Sequence, residues 1–298
     1  MNILMTGGTG FIGSRFVNKL VNEGHHVYVI TRYPRTHKDT ESVSYISFEY
    51  PVRRLPTIHA VVNLAGESLF GYWSKKKKEM IYASRIEATE RLVNMMLQME
   101  KKPKVILSGS AIGYYGTQSN KIFTENTTHP SDDFLASVVS TWENTAQHAE
   151  DLGIRTVYTR FGVVLDRDNG ALPLMTMPIK LFIGGKIGDG KQWISWIHIS
   201  DCINLLYYAL VEPSIKGPIN VTAPNPQRNI EFIKTLARVL RRPALICTPA
   251  PILQIALGDM HQLITKGQYI IPQKAIDQQF TFQYPYLEEA LQHIFNRN

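Results

Sequence analysis

The feature that most constrains this chain is a glycine-rich run placed directly between an apolar, strand-like segment and an amphipathic helical segment. The run consists of Gly7, Gly8, Thr9, Gly10, Phe11, Ile12 and Gly13. It follows residues 2–6, which are mostly apolar, and precedes residues 14–21, whose apolar members recur at helical spacing. Glycines in such a turn permit backbone angles closed to other residues and close packing of the helix on the strand. We therefore predict a βα unit whose helix N-terminus presents free N–H groups to an anion.

The first 165 residues continue this alternation of short apolar strands with helices. Strands are predicted at residues 2–6, 26–31, 45–48, 60–65, 104–109 and 155–161. The longer helices are predicted at residues 75–99 and 132–151. Successive βα units build a parallel sheet with helices on both faces. The predicted fold class is therefore α/β, a Rossmann-type doubly wound parallel sheet with a smaller C-terminal α/β region on the substrate side.

Composition excludes several classes of protein. The 298 residues, 44% of them hydrophobic, are enough for one main core and a smaller one. The sequence shows neither eighteen consecutive uncharged apolar residues nor a cleavable signal, so we expect a cytoplasmic protein with no membrane partner.

Cys202 and Cys247 lack metal-ligand spacing and are interpreted as core residues, with no metal site. The net charge of +7 favours anionic ligands. The lysine run at 75–78 has no interleaved aromatic residues, so we do not expect nucleic acid as a partner.

The segment after the second predicted strand discriminates between two dinucleotide cofactors. In folds of this type an acidic residue about 20 residues after the glycines binds the adenosine ribose and disfavours a 2′-phosphate. This chain has Thr31 and Arg32 there, followed by Arg35 and Lys38. A guanidinium binds phosphate in a bidentate manner, so we predict NADP(H) rather than NAD(H). Solvated loop cations are the alternative interpretation. The predicted NADP(H)-binding domain covers 1–165, with about 193–212 returning to it, and 166–298 forms the smaller region.

Several further segments resemble motifs of the extended short-chain dehydrogenase/reductases, the superfamily of sugar-nucleotide epimerases and dehydratases. These segments are residues 63–66, 108–116, 160–165 and 190–201. Residues 65–68, 110–116, 142–143 and 195–198, with the tail at 249–285, resemble an atypical subfamily called the epimerase family proteins, which has its own C-terminal domain of unknown function. Together with the glycine run, the resemblance implies a cofactor site formed by Gly7, Thr9, Gly10, Phe11, Ile12, Gly13, Thr31, Arg32, Arg35, Leu64, Ala65, Gly66, Ser108 and Arg160.

The catalytic pattern of that superfamily is incomplete in this chain. Its members carry a Tyr-x-x-x-Lys pair on the helix after the serine-bearing strand, where the lysine lowers the tyrosine pKa for proton exchange. Aligned on Glu143, this chain has Leu135 and Val139 at those two positions. Ser110 stands at its usual place, and Tyr114 follows in the next loop. We predict Ser110 and Tyr114 as catalytic residues, with an aromatic pocket wall as the alternative role for Tyr114.

Other polar residues are weighed in the same way. Glu67 follows the fourth predicted strand and is a candidate acid or base by position. Trp142 and Glu143 either face the site or, as is usual for a tryptophan on a helix, belong to the core or to a dimer contact. Asp201 precedes an apolar helical segment and is interpreted as its N-cap, in preference to a metal or catalytic role with His198.

These features leave two functions open. The first is an NADP(H)-binding epimerase or oxidoreductase that acts on a small hydroxyl- or carbonyl-bearing substrate such as a nucleotide sugar. The second is a non-catalytic NADP(H)-binding regulator or scaffold, which the missing Tyr/Lys pair favours. Members of the superfamily often dimerise through the two long helices, here 75–99 and 132–151, so the resemblance permits a homodimer.

Overall fold

The computed structural model describes residues 1–118 and 120–296, and its largest element is a seven-stranded sheet. The strands are β1 (Asn2–Thr6), β2 (His26–Ile30), β3 (Val43–Ile46), β4 (Ala60–Asn63), β5 (Val105–Ala111), β6 (Ile122–Phe123), β7 (Arg155–Phe161), β8 (Val163–Leu165), β9 (Trp193–Ile194), β10 (Trp196–His198), β11 (Gly217–Val221), β12 (Gln227–Arg228) and β13 (Tyr269–Ile270). The helices are α1 (Phe11–Asn22), α2 (Lys75–Gln98), α3 (Phe134–Gln147), α4 (Leu172–Lys180), α5 (Ile199–Val211), α6 (Asn229–Leu240), α7 (Ala250–Leu257), α8 (Gln262–Thr265), α9 (Gln273–Asp277) and α10 (Leu287–Phe295).

The strand order across the large sheet is β11, β7, β5, β4, β1, β2 and β3, and every pair is parallel. Alternate side chains of each strand enter different cores. Ile3 and Met5 of β1 join a cluster with α1 and α5. Leu4, between them, packs in a second cluster with residues of α2. Helices therefore cover both faces of the sheet, and the predicted doubly wound Rossmann-type fold is confirmed.

The order reverses between β1 and β4, so the chain leaves these neighbouring strands in opposite lateral directions. Loops that diverge at such a reversal leave a crevice at the carboxyl ends of the strands, where open α/β sheets bind ligands. The glycine run follows β1, and Leu64, Ala65 and Gly66 follow β4. Both segments therefore lie at this crevice.

Three of the differences between the observed and the predicted strands of the large sheet have a local cause. The strand predicted at 45–48 is β3, two residues earlier, because the chain turns after it with the Tyr50 N–H bonded to the Ser47 carbonyl at 3.1 Å. Strand β5 continues to Ala111 because its last residues pair with the end of β7. Strand β11 was not predicted, since it begins with Gly217 and Pro218. Proline is tolerated there because β11 is an edge strand.

The C-terminal part of the chain has its own core and also returns to the large sheet. Leu236 of α6 and Leu291 of α10 pack in one apolar cluster with Trp196 of β10. In contrast, Ala275 of α9 packs in the core of the large sheet, β13 pairs with β6 in a separate two-stranded sheet, and the Gln268 side chain donates to the Ile112 carbonyl, just after β5, at 3.0 Å. None of the helices in the described part of the chain is long and apolar enough to span a membrane.

Candidate functional site

The glycine run forms a turn that is too tight for side chains at two of its positions. Gly7 has φ +72°, the left-handed region that glycine adopts readily. A Cβ atom at Gly13 would lie 2.0 Å from the Gly7 carbonyl oxygen. Gly10 is the N-cap of α1 and supplies no side-chain cap, so the first-turn N–H groups of α1 receive no side-chain acceptor from the N-cap. An uncapped helix start preceded by glycines fits a pyrophosphate group.

These turn residues form part of the wall of a large cavity of about 1370 Å³. Its volume exceeds the range of roughly 300–1,000 Å³ that is usual for small-molecule sites, so it can hold a dinucleotide together with a second ligand. The lining includes most of the predicted cofactor residues and one predicted catalytic residue, namely Gly7, Gly10, Phe11, Ile12, Gly13, Leu64, Ala65, Gly66 and Ser110.

The remaining predicted cofactor residues fall into two groups. Thr9, Thr31, Arg32 and Arg35 lie at or after the ends of the first two strands, outside the residues that line the cavity. Arg32 and Arg35 are exposed to solvent, and no described carboxylate pairs with either of them. Both guanidinium groups are therefore available to bind an anionic ligand.

Ser108 and Arg160 are not brought to the cavity by the described structure. Ser108 is completely buried in β5, where its carbonyl accepts the Thr159 hydroxyl at 3.0 Å. Arg160 is 3% exposed and is held by Glu143 in a bidentate ion pair, with Nε to Oε1 at 2.8 Å and Nη2 to Oε2 at 2.7 Å. The structure therefore places both residues in the interior, outside the cavity lining, and their predicted role as cofactor ligands stays a prediction.

The Glu143–Arg160 pair supports Ser110. The Ser110 hydroxyl donates to Glu143 Oε1 at 2.5 Å, and Ser110 also lines the cavity. Burial by itself lowers the pKa of the Arg160 guanidinium, but the hydrogen bonds and charge of Glu143 outweigh burial and raise that pKa above its ordinary value. The guanidinium therefore stays charged, and Ser110 is oriented with its proton toward Glu143.

Tyr114 does not contribute a hydroxyl to the cavity. Its OH donates to the Thr128 carbonyl at 2.6 Å, and its ring lies against Arg160, with the guanidinium carbon 3.6 Å from the ring centroid. The neighbouring Tyr115 accepts from Arg160 at 2.9 Å and donates to the Asn220 side chain at 2.8 Å. Burial, opposed by Arg160, raises the pKa of Tyr115 to about 12. The structure therefore places Tyr114 against Arg160 and outside the residues that line the cavity, and its predicted catalytic role stays a prediction.

The helix that would carry the usual Tyr/Lys pair presents an apolar face to the cavity. Leu135 and Val139, at the two aligned positions, both line it, as do Val138 and Trp142. Glu143 follows Val139 at the same four-residue spacing and is the acid that holds Ser110. This spacing of 135, 139 and 143 was the sequence signal for Glu143, which the prediction left undecided between site and core.

Two further polar predictions are resolved by their hydrogen bonds. Glu67 lines the cavity and forms an ion pair with Lys77 at 2.6 Å. Asp201 was predicted to cap α5, and this was wrong, because His198 is the N-cap and accepts the Ser200 N–H at 3.0 Å. Asp201 is buried one turn further on and accepts the N–H groups of residues 283 and 284 at 2.8 and 2.9 Å. Within residues 1–118 and 120–296, no group of three or more His, Cys, Asp or Glu residues could hold a metal ion.

A glycine turn that fits pyrophosphate, placed where the strand order of a doubly wound sheet reverses, defines the class of dinucleotide-binding Rossmann proteins. A family model described as the NAD dependent epimerase/dehydratase family matches residues 3–222, and one for a domain of unknown function, DUF1731, matches residues 248–294. The chain belongs to the NAD-dependent epimerase/dehydratase family, as the motifs predicted.

Similar proteins cover the chain from end to end. The epimerase family protein YfhF of Bacillus subtilis is 45% identical and covers 99% of this chain and 98% of its own length. The epimerase family protein SH2119 of Staphylococcus haemolyticus is 40% identical, with 98% of each chain covered. Among solved structures, the human epimerase family protein SDR39U1 (isoform2) with NADPH matches with a TM-score of 0.90 at 30% identity over 100% of both chains. The nucleoside-diphosphate sugar epimerase of Corynebacterium glutamicum gives 0.79 at 30% identity, over 98% of this chain and 57% of the other.

Proposed function

We propose that this chain is an NADP(H)-binding oxidoreductase or epimerase that acts on a small hydroxyl- or carbonyl-bearing substrate. One observation carries the proposal. Ser110, hydrogen-bonded to the buried Glu143–Arg160 pair, lines the same cavity as the glycine turn. A group able to contact a reacting oxygen thus shares one space with a site that fits a dinucleotide.

The phosphorylated cofactor is favoured over NAD(H) by the residues after β2. Arg32 and Arg35 are exposed cations there, whereas Asp39, the first carboxylate after β2, accepts the Tyr45 N–H at 2.8 Å. A 2′-phosphate near this segment would meet guanidinium groups and no competing acid. The human relative with NADPH is consistent with this assignment.

The residues that would hold the cofactor follow from the lining of the cavity. The first turn of α1 would receive the pyrophosphate, and Leu64, Ala65 and Gly66 would flank the part of the cofactor that crosses the switch point. When bound, a nicotinamide cofactor supplies a hydride donor or acceptor. The protein must then supply binding, orientation and proton transfer.

Ser110 and Glu143 can transfer the proton. With its own hydrogen directed to Glu143, the Ser110 oxygen is free to accept a hydrogen bond from a substrate hydroxyl. As the substrate O–H bond breaks, its proton would pass to Ser110 and the serine proton would pass to Glu143, with the hydride acceptor supplied by the bound nicotinamide cofactor. Reduction of a carbonyl is the reverse, and the proton returns to the substrate oxygen along the same two groups. Acid–base residues of this kind contribute about 10²–10⁴-fold to a rate.

The test measures turnover and cofactor binding on the same variants. Ser110→Ala should lower kcat/KM by about 100-fold or more, and Ser110→Thr, which keeps a hydroxyl, should retain more activity. Ser137→Ala on the exposed side of α3 is the matched control and should leave turnover unchanged. NADPH affinity should be the same in all of them. If the protein binds NADPH but turns over none of a broad set of carbonyl compounds and sugar nucleotides, the proposed enzymatic function is contradicted.

A second function, a non-catalytic NADP(H)-binding regulator or scaffold, is favoured by one observation. Leu135 and Val139 leave the cavity without the usual acid–base pair on α3. A ligand changes partner binding only if it binds two states of the protein with different affinity. Affinity capture with and without NADPH would show a different set of partners for a regulator and the same set for an enzyme.

A further inference from the structure

The substrate side of the cavity has an apolar wall contributed by four separate segments. Trp73, Ile81, Val138 and Met260 form one buried cluster, and Leu69, Phe134, Leu135 and Ile264 pack against it. All eight line the cavity. The wall joins the loop before α2, the start of α2, the first half of α3 and the C-terminal segment around α8. It is therefore a feature of the assembled fold and of no single sequence motif.

We infer that the substrate of this site is an uncharged compound with an apolar body and one carbonyl or hydroxyl group, and that a nucleoside diphosphate sugar does not fit. The inference rests on the proposed function and narrows its substrate class. A nucleoside diphosphate is recognised by free cationic groups and by backbone N–H groups that pair with its phosphates. An aliphatic or aromatic body is recognised by burial against apolar side chains.

The charges in the cavity wall do not provide a diphosphate site. Among the described residues, the charged ones that line it are the acids Glu67, Asp133 and Asp259 and the bases Lys78, Arg85 and Lys266, which cancel in net charge. Lys78 is bound to Asp259 at 2.5 Å. Asp133 is the N-cap of α3 and accepts the Ala136 N–H at 2.9 Å. Lys78 and Asp259 thus neutralise each other, and Asp133 is bound by the N-terminus of α3.

The Arg85 guanidinium is also engaged by the protein. It donates to the carbonyl oxygens of Glu67 and Ile81 at 3.1 and 2.9 Å and lies over the Trp142 ring at 5.3 Å. Burial, opposed by Glu67, lowers the pKa of Arg85 to about 10. Lys266, whose amine contacts the Gln262 side chain at 3.3 Å, is the remaining cation among the described lining residues. One lysine does not balance the two charges of a diphosphate.

The geometry of α3 places the apolar body relative to the reacting oxygen. Glu143, which holds Ser110, lies two turns beyond Leu135 on the same helix, about 12 Å along its axis. A substrate with its oxygen at Ser110 can extend along α3 toward Leu135, Phe134 and the Trp73 side of the wall. The residue that replaces the family tyrosine is therefore a contact for the substrate body.

The test is a binding series that does not depend on turnover. Straight-chain primary amides of increasing length serve as unreactive carbonyl probes, and calorimetry measures their affinity with excess NADP⁺ present. Each added methylene should tighten binding about fourfold until the wall is filled, since burial of a methylene contributes about 0.8 kcal/mol. UDP and UDP-glucose should give no heat. Saturable binding of either nucleotide, or affinity independent of chain length, would overturn the inference.

Variants of the wall separate this result from general damage. Leu135→Asn should weaken the longest bound amide about tenfold or more, and Leu135→Ala, which adds no polar group, should weaken it less. The matched control Ser137→Asn lies on the exposed side of the same helix and should have no effect. NADP⁺ affinity reports on folding in each case. Equal amide affinity in Leu135→Asn and the unmodified protein contradicts the assigned wall.

Turnover distinguishes failure of this inference from failure of the proposed function. If long-chain amides bind with the expected dependence but no aldehyde or ketone is reduced, the substrate class stands and the enzymatic proposal falls. If sugar nucleotides are turned over, the enzymatic proposal stands and the substrate class falls.

Discussion

Replacing Arg32 by alanine should weaken NADPH binding and leave NADH binding nearly unchanged, because only NADPH carries the 2′-phosphate. A hydrogen bond to a charged group contributes about 1.5–3 kcal/mol when well shielded. Arg32 is exposed, and its guanidinium carbon lies over the Tyr33 ring, 6.0 Å from the ring centroid, with no acidic partner among the described residues. Solvent screening therefore reduces the expected loss to about 1–2 kcal/mol, or about 5–30-fold in Kd.

Fluorescence titration with NADPH and NADH measures both dissociation constants on the same protein samples. The double variant Arg32→Ala, Arg35→Ala should reduce the NADPH-to-NADH preference further, and 2′,5′-ADP should lose its ability to compete. Arg238→Ala, an exposed arginine on α6, is the control and should bind both cofactors as before. Raising the salt concentration should weaken NADPH binding more than NADH binding. An unchanged preference in the double variant would refute the reasoning for NADP(H).

Three further predictions address the turn, the thiols and the pH dependence of stability. Gly13→Ala should abolish NADPH binding, since the new Cβ would lie 2.0 Å from a backbone oxygen. The control Ser14→Ala, at an exposed position on the same helix, should bind NADPH as before. Equal heats of NADPH binding for the two variants in calorimetry would contradict the prediction. Cys202 is buried as predicted, but the prediction that Cys247 is a core residue was wrong, because it is exposed. In the native protein a thiol reagent should therefore modify Cys247 and spare Cys202, whose burial raises its thiol pKa; mass spectrometry identifies the labelled site, and labelling of both would be the opposite result. Burial raises the pKa of Asp201 against two backbone hydrogen bonds, so its contribution to stability is greatest at low pH and is lost as pH rises through the folded-state pKa. Urea unfolding should therefore show that the unmodified chain exceeds Asp201→Asn in free energy of unfolding by more at about pH 4 than at about pH 7. A difference between the two proteins that does not change with pH would contradict this prediction.

The backbone part of the site was predictable because local chemistry determines it. The glycine turn needs only its own residues and the strand and helix beside it, and Leu64, Ala65 and Gly66 follow from the end of β4. The predicted sheet was also largely local, since each strand is a short apolar run. These are the features for which a few neighbouring residues carry the whole constraint.

The side chains behind the cavity depend on partners that are distant in sequence. Ser110 and Arg160 are paired in the register of β5 and β7, so both point to the same face of the sheet, where α3 supplies Glu143. The sequence motif that contains Arg160 does not indicate that Glu143 forms an ion pair with its guanidinium. Tyr114 is likewise placed by the guanidinium against its ring. A homodimer through α2 and α3 stays a prediction, for which solution mass is the measurement.

The return of the C-terminal segment to the sheet limits how this architecture can be rearranged. Strand β13 completes β6, and the Lys274 amine donates to the carbonyls of Lys216 and Pro218 at the edge of the large sheet, at 2.7 and 2.6 Å. A gene truncated before residue 248 would leave these acceptors and the Ile112 carbonyl without their donors. Hydrogen bonds thus join the two segments that the family models match, and we expect exchange of the tail as an independent module to remove Met260 and Ile264 from the wall of the cavity.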